Sequence, residues 1–300
     1  MSARPTTIDD ARRQVGPELR IVGVIGSPVA HSLSPVLHNA AFAALGLAGR
    51  WRSFAFEVPA GQAAEALEAV RRADVSGLSV TMPHKAAVAA LVDECSEVAR
   101  RLDAVNCVVN RGGWLYGTNT DGEGFVASLA RGVGFDPAGR RCLVVGAGGA
   151  ARAVVLALAS AGASRVAVVN RTPGRAEAAA ALAGPAGTAV DLGAPGAVGD
   201  AATTADLVVN ATPVGMVGSP EAGESDAWLV APTLLGPGQV AADLVYAPRP
   251  TRWLAQAASA GAQVLDGLGM LVHQAAAQLA LWTGAEAPVE AMWRAAEAAG

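Results

Sequence analysis

The chain has 300 residues, 52% of them apolar and 16% charged, where an average soluble protein is about 25% charged; 22 basic and 26 acidic side chains leave a formal charge of −4. That balance excludes a disordered chain, which needs low hydropathy and high net charge, and a sequence-independent nucleic-acid binder, which needs a basic footprint. At about 100–200 residues per domain, the length points to two domains, each with ample core to bury.

Residues 1–20 are polar and read as a loose tail without the apolar run of a secretion signal. Ile21–Gly26 reads as a buried strand running into the loop Ser27–Ser34. Ser34 reads as an N-cap with Pro35 at the first helical position. Val36, Leu37, Ala40, Ala41, Ala44 and Leu45 then recur at helical spacing. Phe54–Val58 is a predicted strand, Gly61–Ala73 a helix, Leu78–Thr81 a strand, and a further helix runs to about Ala90. Ala104–Asn110 and Trp114–Gly117 read as strands joined by a turn at Arg111–Gly113. Strands alternating with helices argue for an α/β fold with a mainly parallel sheet.

A second α/β unit begins near residue 140, with strands at Arg141–Val145, Val166–Val169, Leu207–Asn210 and Val240–Val245 and helices at 149–160 and Ala176–Leu182. The Gly- and Pro-rich stretches 184–199 and 217–238 read as surface loops. For the second stretch, which contains Trp228, a mobile cover and an inert insertion are both open. Gly267–Ala285 is free of charge but carries His273, Gln274, Gln278 and glycines. It reads as a buried helix rather than the run of about 20 apolar residues that spans a membrane. Cys95, Cys107 and Cys142 are odd in number and widely spaced, which fits a reducing cytoplasm and no disulfide framework. The four histidines form no ligand pair, so no metal site is expected.

Val144-Val145-Gly146-Ala147-Gly148-Gly149-Ala150-Ala151 matches G-x-G-x-x-G/A, after a strand and opening a helix. In such a turn Gly146 permits the bend, Gly148 admits a pyrophosphate, and Ala151 keeps helix and strand close. The helix N-terminus, at Gly149 and Ala150, offers N–H groups and a positive dipole end to phosphate. About 20 residues on, where a carboxylate would hold the ribose hydroxyls of NAD, stand Asn170, Arg171, Thr172 and Arg175. Guanidinium groups bind a 2′-phosphate through paired donors, so the expected cofactor is NADP. The plainer alternative is that the two arginines are solvated at a helix start.

Three further segments stand at strand ends, where α/β sheets bind ligands. Ser32 and Ser34 could donate hydroxyl hydrogen bonds to a small anion, or Ser34 could serve only as a cap. Ser79-Val80-Thr81-Met82-Pro83-His84-Lys85 ends a strand on a lysine, which alone reads equally as surface. Gly117-Thr118-Asn119-Thr120-Asp121-Gly122 is a compact polar loop or a simple Asp-Gly turn.

Taken in order, SLSP at 32–35, SVTMPHK at 79–85, AVN at 104–106, NTDG at 119–122, GAGGAAR at 146–152, NRT at 170–172, NATPVGM at 210–216, DLVYAPRPT at 243–251 and DGLGMLVHQA at 266–275 closely resemble the shikimate dehydrogenase family. The resemblance runs over about residues 21–284. It implies a substrate-binding and catalytic domain at 21–122 and 262–300, a Rossmann NADP domain at 123–261, and a cleft between them. It implies that Ser32 and Ser34 bind the substrate carboxylate and that Thr81, Asn106, Asp121 and Gln274 meet ring hydroxyls. Lys85 and Asp121 would be the catalytic pair. Tyr246 and Gly267 would close over substrate and nicotinamide, with Thr212 and Met216 beside the nicotinamide. Ser79 departs from the asparagine common in the family and removes one amide from the expected hydroxyl contacts.

The reaction implied is reversible, NADPH-dependent reduction of 3-dehydroshikimate to shikimate, in the supply of chorismate and aromatic amino acids. The partner is then a small molecule, not nucleic acid or membrane, and the enzyme a cytoplasmic monomer or homodimer. Quinate or amino-shikimate dehydrogenases are alternatives within the family. A non-catalytic NADP-binding sensor is the alternative of another class, and it would be expected to lack Lys85 or Asp121.

Overall fold

The apolar run Ile21–Ile25 and the run Leu143–Val145 each lie in an interior strand of a six-stranded sheet. The computed structural model describes residues 6–216 and 228–299, in two compact units, Met1–Thr120 with Val272–Gly300, and Asp121–Leu271. Residues 217–227 of the 217–238 stretch therefore lie outside the described residues.

In the first unit the chain runs α1 (Ile8–Val15), β1 (Arg20–Gly26), α2 (Ser34–Ala44), β2 (Trp51–Glu57), α3 (Ala63–Arg72) and β3 (Val75–Val80). It continues through α4 (Lys85–Ala89), β4 (Glu94–Cys95), α5 (Glu97–Leu102), β5 (Cys107–Arg111) and β6 (Trp114–Thr118). The strand order is β2-β1-β3-β5-β6-β4. The β2, β1 and β3 strands are parallel, β5 is antiparallel to both its neighbours, and β4 is parallel to β6. The antiparallel β5–β6 pair follows from the tight turn between them, which joins the strands too closely for a crossover.

Residues 8–15 correct the reading of 1–20 as a loose tail. Ile8 and Ala11 are buried in the core of the first unit. Thr7 caps the helix, accepting from the Asp10 N–H. The Arg12 guanidinium donates to the carbonyls of Gly16, Leu19, Ala73 and Asp74, tying the helix down by its charged face. Two buried apolar residues in a largely polar octet made it inconspicuous.

The second unit begins with α6 (Asp121–Val133) and continues β7 (Arg141–Val145), α7 (Gly149–Ser160), β8 (Arg165–Val169), α8 (Pro173–Ala180) and β9 (Gly187–Ala189). It goes on through α9 (Ala197–Thr204), β10 (Leu207–Asn210), β11 (Val240–Asp243), α10 (Arg252–Ser259) and β12 (Gln263–Leu265). Helix α11 (Leu268–Thr283) passes the boundary between the units, and α12 (Val289–Ala299) packs on α2. The second sheet is wholly parallel in the order β12-β11-β10-β7-β8-β9. Counted from β7, that is the doubly wound order of dinucleotide-binding folds. Its central strands are apolar because both faces are covered. Cys142, Val144, Val166, Val168 and Val209 enter one core, and Leu143, Val145, Ala167, Val169 and Val208 the other.

Three more expectations change. Asp121 and Gly122 open α6 rather than closing a loop. The 184–199 stretch contains β9 and the start of α9. Residues 228–235 are not simply surface, since Val230 and Leu235 are core residues and Trp228 packs on that core. No helix among the described residues is long and apolar enough to cross a membrane.

Candidate functional site

In the first unit a row of main-chain bonds gathers the strand ends. The Thr81 N–H donates to Ile25 (3.0 Å), Val80 N–H to the Asn106 carbonyl (2.7 Å), and Asn106 N–H to Thr118 (3.0 Å). Thr81, Asn106 and the 118–120 segment thus stand side by side along one edge of the sheet. Ser27 N–H adds the start of the serine loop by donating to Met82 (3.0 Å). Asn106 takes the Thr120 N–H on its Oδ1 at 2.7 Å and donates from Nδ2 to the Thr120 hydroxyl at 3.1 Å and to Gln274 Oε1 at 3.4 Å. The Thr120 hydroxyl donates to the Gln274 carbonyl at 3.1 Å. Asn106 and Gln274, 168 residues apart, therefore meet in one buried network.

Ser34 is not the cap of α2. Leu33 holds that position, and Ser34 is the first helical residue, its N–H donating to the Ser32 hydroxyl at 3.3 Å. Both serines belong to that one turn. Lys85 is the first residue of α4. Before it, the buried His84 donates from Nε2 to the Val58 carbonyl at 2.7 Å, and behind it the Val105 N–H donates to the Lys85 carbonyl at 2.9 Å. These two bonds fix the backbone from which the lysine side chain extends. Asp121 follows Thr120 directly, is buried, and stands in the first turn of α6. Ser79, near the end of β3, is also buried.

In the second unit the turn between β7 and α7 has the expected conformation. Gly146 has φ +110°, where a side chain would be strained, and a Cβ there would lie 3.0 Å from the Ala211 carbonyl oxygen. Above Gly148 and Gly149 a Cβ would meet nothing within 4 Å, leaving the helix N-terminus open to a ligand. Ala151 is fully buried. A cavity of about 150 Å³ is lined by Gly146, Gly148, Asn170, Arg171, Thr212 and Trp228, among others. Ala147 lines it as well, while Ala150 lies behind the turn on α7.

Arg171 is exposed at the cavity edge and Arg175 is exposed in the first turn of α8. Thr172 is the N-cap of α8, but its side chain caps no amide. Asn170 Nδ2 donates to the Thr172 carbonyl at 3.1 Å. No carboxylate stands between residues 170 and 176. Open glycine backbone, a helix start and arginines in place of a carboxylate fit a dinucleotide with a 2′-phosphate.

Thr212 is held by Asn210, whose Oδ1 accepts both its N–H (3.2 Å) and its hydroxyl (2.7 Å). Met216 closes the same turn, its N–H donating to the Pro213 carbonyl at 3.0 Å. Gly267 N–H donates to the Val245 carbonyl at 3.2 Å, which sets it beside Tyr246. Burial pushes the Tyr246 phenol up.

The sequence reading places none of Trp228, Asp243 and Gln278 among the site residues. Trp228 lines the cavity with a buried indole Nε1 that has no hydrogen-bond partner, yet its segment reads as loop by composition. Asp243 is a buried acid closing the apolar strand β11, and an acid in that position was the available signal.

A doubly wound sheet with this turn defines a dinucleotide-binding protein, and the first unit adds a buried polar network at its strand ends. Known proteins agree. Residues 24–108 match the pattern of the shikimate dehydrogenase substrate binding domain, 128–214 that of shikimate / quinate 5-dehydrogenase, and 267–297 that of the shikimate 5′-dehydrogenase C-terminal domain. The NADP(+) shikimate dehydrogenases of Moorella thermoacetica and Symbiobacterium thermophilum are each 46% identical, over 94% and 93% of this chain and 94% of theirs. The crystal structure of shikimate 5-dehydrogenase from Thermus thermophilus in complex with NADP(H) and shikimate superposes with a TM-score of 0.83 at 40% identity, covering 94% of this chain and all of that one. This chain belongs to the shikimate dehydrogenase family.

Proposed function

We infer that the chain is an NADP-dependent shikimate dehydrogenase, interconverting 3-dehydroshikimate and shikimate. The observation that carries this is the joint presence of an arginine-edged dinucleotide turn in one unit and the Asn106–Thr120–Gln274 network in the other. In this reading the substrate domain is the first unit and the NADP domain the second. The enzyme works in the cytoplasm, as a monomer or homodimer.

The hydroxyls of Ser32 and Ser34 donate to the substrate carboxylate, anchoring the ring without a full counter-charge. Thr81, Asn106, Asp121 and Gln274 meet the ring hydroxyls. The N–H groups at Gly148, Gly149 and Ala150 take the pyrophosphate at the start of α7, with Gly146 making the bend. Asn170, Arg171, Thr172 and Arg175 take the 2′-phosphate. Thr212 and Met216 border the nicotinamide, and Tyr246 and Gly267 close over substrate and nicotinamide. When bound, the nicotinamide supplies or accepts the hydride.

The chain's own part is the proton. As the keto group is reduced, Lys85 Nζ gives a proton to the oxygen that becomes a hydroxyl. In oxidation it takes that proton back. Asp121 accepts the hydrogen bond of the reacting hydroxyl and orients it. Ser79 supplies one hydroxyl where an asparagine would supply an amide, so ring contacts rest more heavily on Asn106 and Gln274.

The test is direct. Purified protein is given NADP⁺ with shikimate, then with quinate, then each with NAD⁺, and reduced cofactor is followed by absorbance. The expected result is turnover of shikimate with preference for NADP⁺. Absence of shikimate turnover overturns the reading, and preference for quinate with NAD⁺ moves the chain to the other branch of its family.

A further inference from the structure

Gln278 lies one helical turn beyond Gln274 on α11, on the same face. It is fully buried. Its Nε2 donates to Gln274 Oε1 at 2.8 Å and to the Asn106 carbonyl at 3.1 Å. Its own Oε1 is buried without a hydrogen-bond partner. A buried, unmatched acceptor is unfavourable, and in native proteins such a group calls for an explanation. For packing alone, a methionine would fill the same space and bury no amide.

We propose that Gln278 is a positioning residue for the ring-hydroxyl site, fixing which end of the Gln274 amide the substrate meets. This rests on the functional reading above. A glutamine amide offers an acceptor at one end and a donor at the other, and the two ends have nearly the same shape. Gln278 commits the Gln274 oxygen inward, where Asn106 Nδ2 also reaches it at 3.4 Å. The Asn106 oxygen is committed in the same way, to the Thr120 N–H at 2.7 Å. The end of the Gln274 amide that serves a ligand is therefore its nitrogen, which donates, while Asn106 Nδ2 is already given to the Thr120 hydroxyl and to Gln274 Oε1. A ring hydroxyl then accepts from Gln274 and directs its proton to the Asp121 carboxylate. Gln278 thereby sets the polarity of the site without touching the substrate.

The experiment is a double-mutant cycle of Gln278→Met and Gln274→Ala, read as KM for shikimate, KM for NADP⁺, kcat and thermal midpoint. Gln278→Met is expected to raise KM for shikimate about tenfold, the scale of one or two lost hydrogen bonds. KM for NADP⁺ and the thermal midpoint are expected to hold. In the Gln274→Ala background the same substitution has nothing left to orient, so no further rise is expected. Gln278→Leu repeats the measurement with a different apolar shape, which separates a packing fault from a lost donor. An unchanged shikimate KM in Gln278→Met, or an equal rise with and without Gln274, overturns the proposal while the functional reading stands. A wild-type protein inert toward shikimate overturns both.

Discussion

The Nδ2 amide of Asn210 donates to Oδ1 of Asp243 over 3.0 Å, joining the ends of β10 and β11. The same Oδ1 accepts the Val245 N–H at 3.0 Å, and Oδ2 accepts the Thr251 hydroxyl at 2.7 Å. Asn210 in turn holds Thr212 through its own oxygen. One buried acid thus braces the segment that carries Thr212 into the cofactor cavity.

Burial pushes the Asp243 carboxyl up from 3.8 to about 6, with the charge of Asp266 acting in the same direction, although three donors oppose them. The folded protein therefore holds this proton more tightly than the unfolded chain does. Its contribution to stability is present below about 4 and is lost as pH rises through about 6. The displacement corresponds to about 3 kcal/mol. Asp243→Asn keeps the shape and cannot ionise. Denaturant titrations at pH 4, 5, 6 and 7 should show the wild type losing about that much relative to the variant. Parallel curves for the two proteins would refute the assignment.

Lys85→Ala should lower kcat about a hundred- to ten-thousandfold, the usual contribution of a positioned proton donor. Its backbone is held by the His84–Val58 bond and by the Val105 N–H, neither of which involves the lysine side chain. The fold should therefore survive, with NADP affinity largely kept. Steady-state kinetics beside a cofactor titration check this, and near-wild-type turnover would remove Lys85 from the mechanism.

Arg171 and Arg175 are exposed on either side of the start of α8. Arg171→Ala with Arg175→Ala should reduce the preference for NADP over NAD about ten- to a hundredfold, the worth of one or two charge-assisted hydrogen bonds to phosphate. The ratio of kcat/KM for the two cofactors measures it. An unchanged ratio would return both arginines to the status of solvated surface groups.

How much of this could be read from the chain differs by element. The bounds of β7 and α7 were legible to the residue, because an apolar run meets a glycine turn and then an uninterrupted run of helix formers. Helix α6 was not, since Gly122, Gly124 and Gly132 depress its propensity. It forms because it packs closely on α7: a Cβ on Gly122 would stand 2.7 Å from the Ala153 carbonyl oxygen. The same tertiary effect buries Val230 and Leu235 in a stretch whose proline and glycine content reads as loop. Ser32, Lys85, Asp121 and Arg171 were legible as candidates because side-chain chemistry at strand ends is local information. Asp243 and Gln278 act through partners 33 and 172 residues away, and that pairing exists only once the chain is folded.

Gly267 carries the last prediction. A Cβ built on it would overlap the Leu244 carbonyl oxygen and crowd the Val245 carbonyl carbon. Its N–H donates to that same Val245 carbonyl at 3.2 Å, so the glycine cannot move away without breaking the bond that sets it beside Tyr246. The neighbouring atoms are backbone, and they belong to the segment that follows the Asp243 brace. They can yield only by shifting that segment. Gly267→Ala should therefore cost roughly 1–3 kcal/mol of stability, as overpacking commonly does. Because the displaced segment leads to Tyr246, which in the proposed reading closes over substrate and nicotinamide, it should also raise KM for both NADP⁺ and shikimate. Thermal denaturation together with separate cofactor and substrate titrations reads both effects. A variant as stable as the wild type, with the same NADP⁺ KM, would show that this close approach has no functional weight.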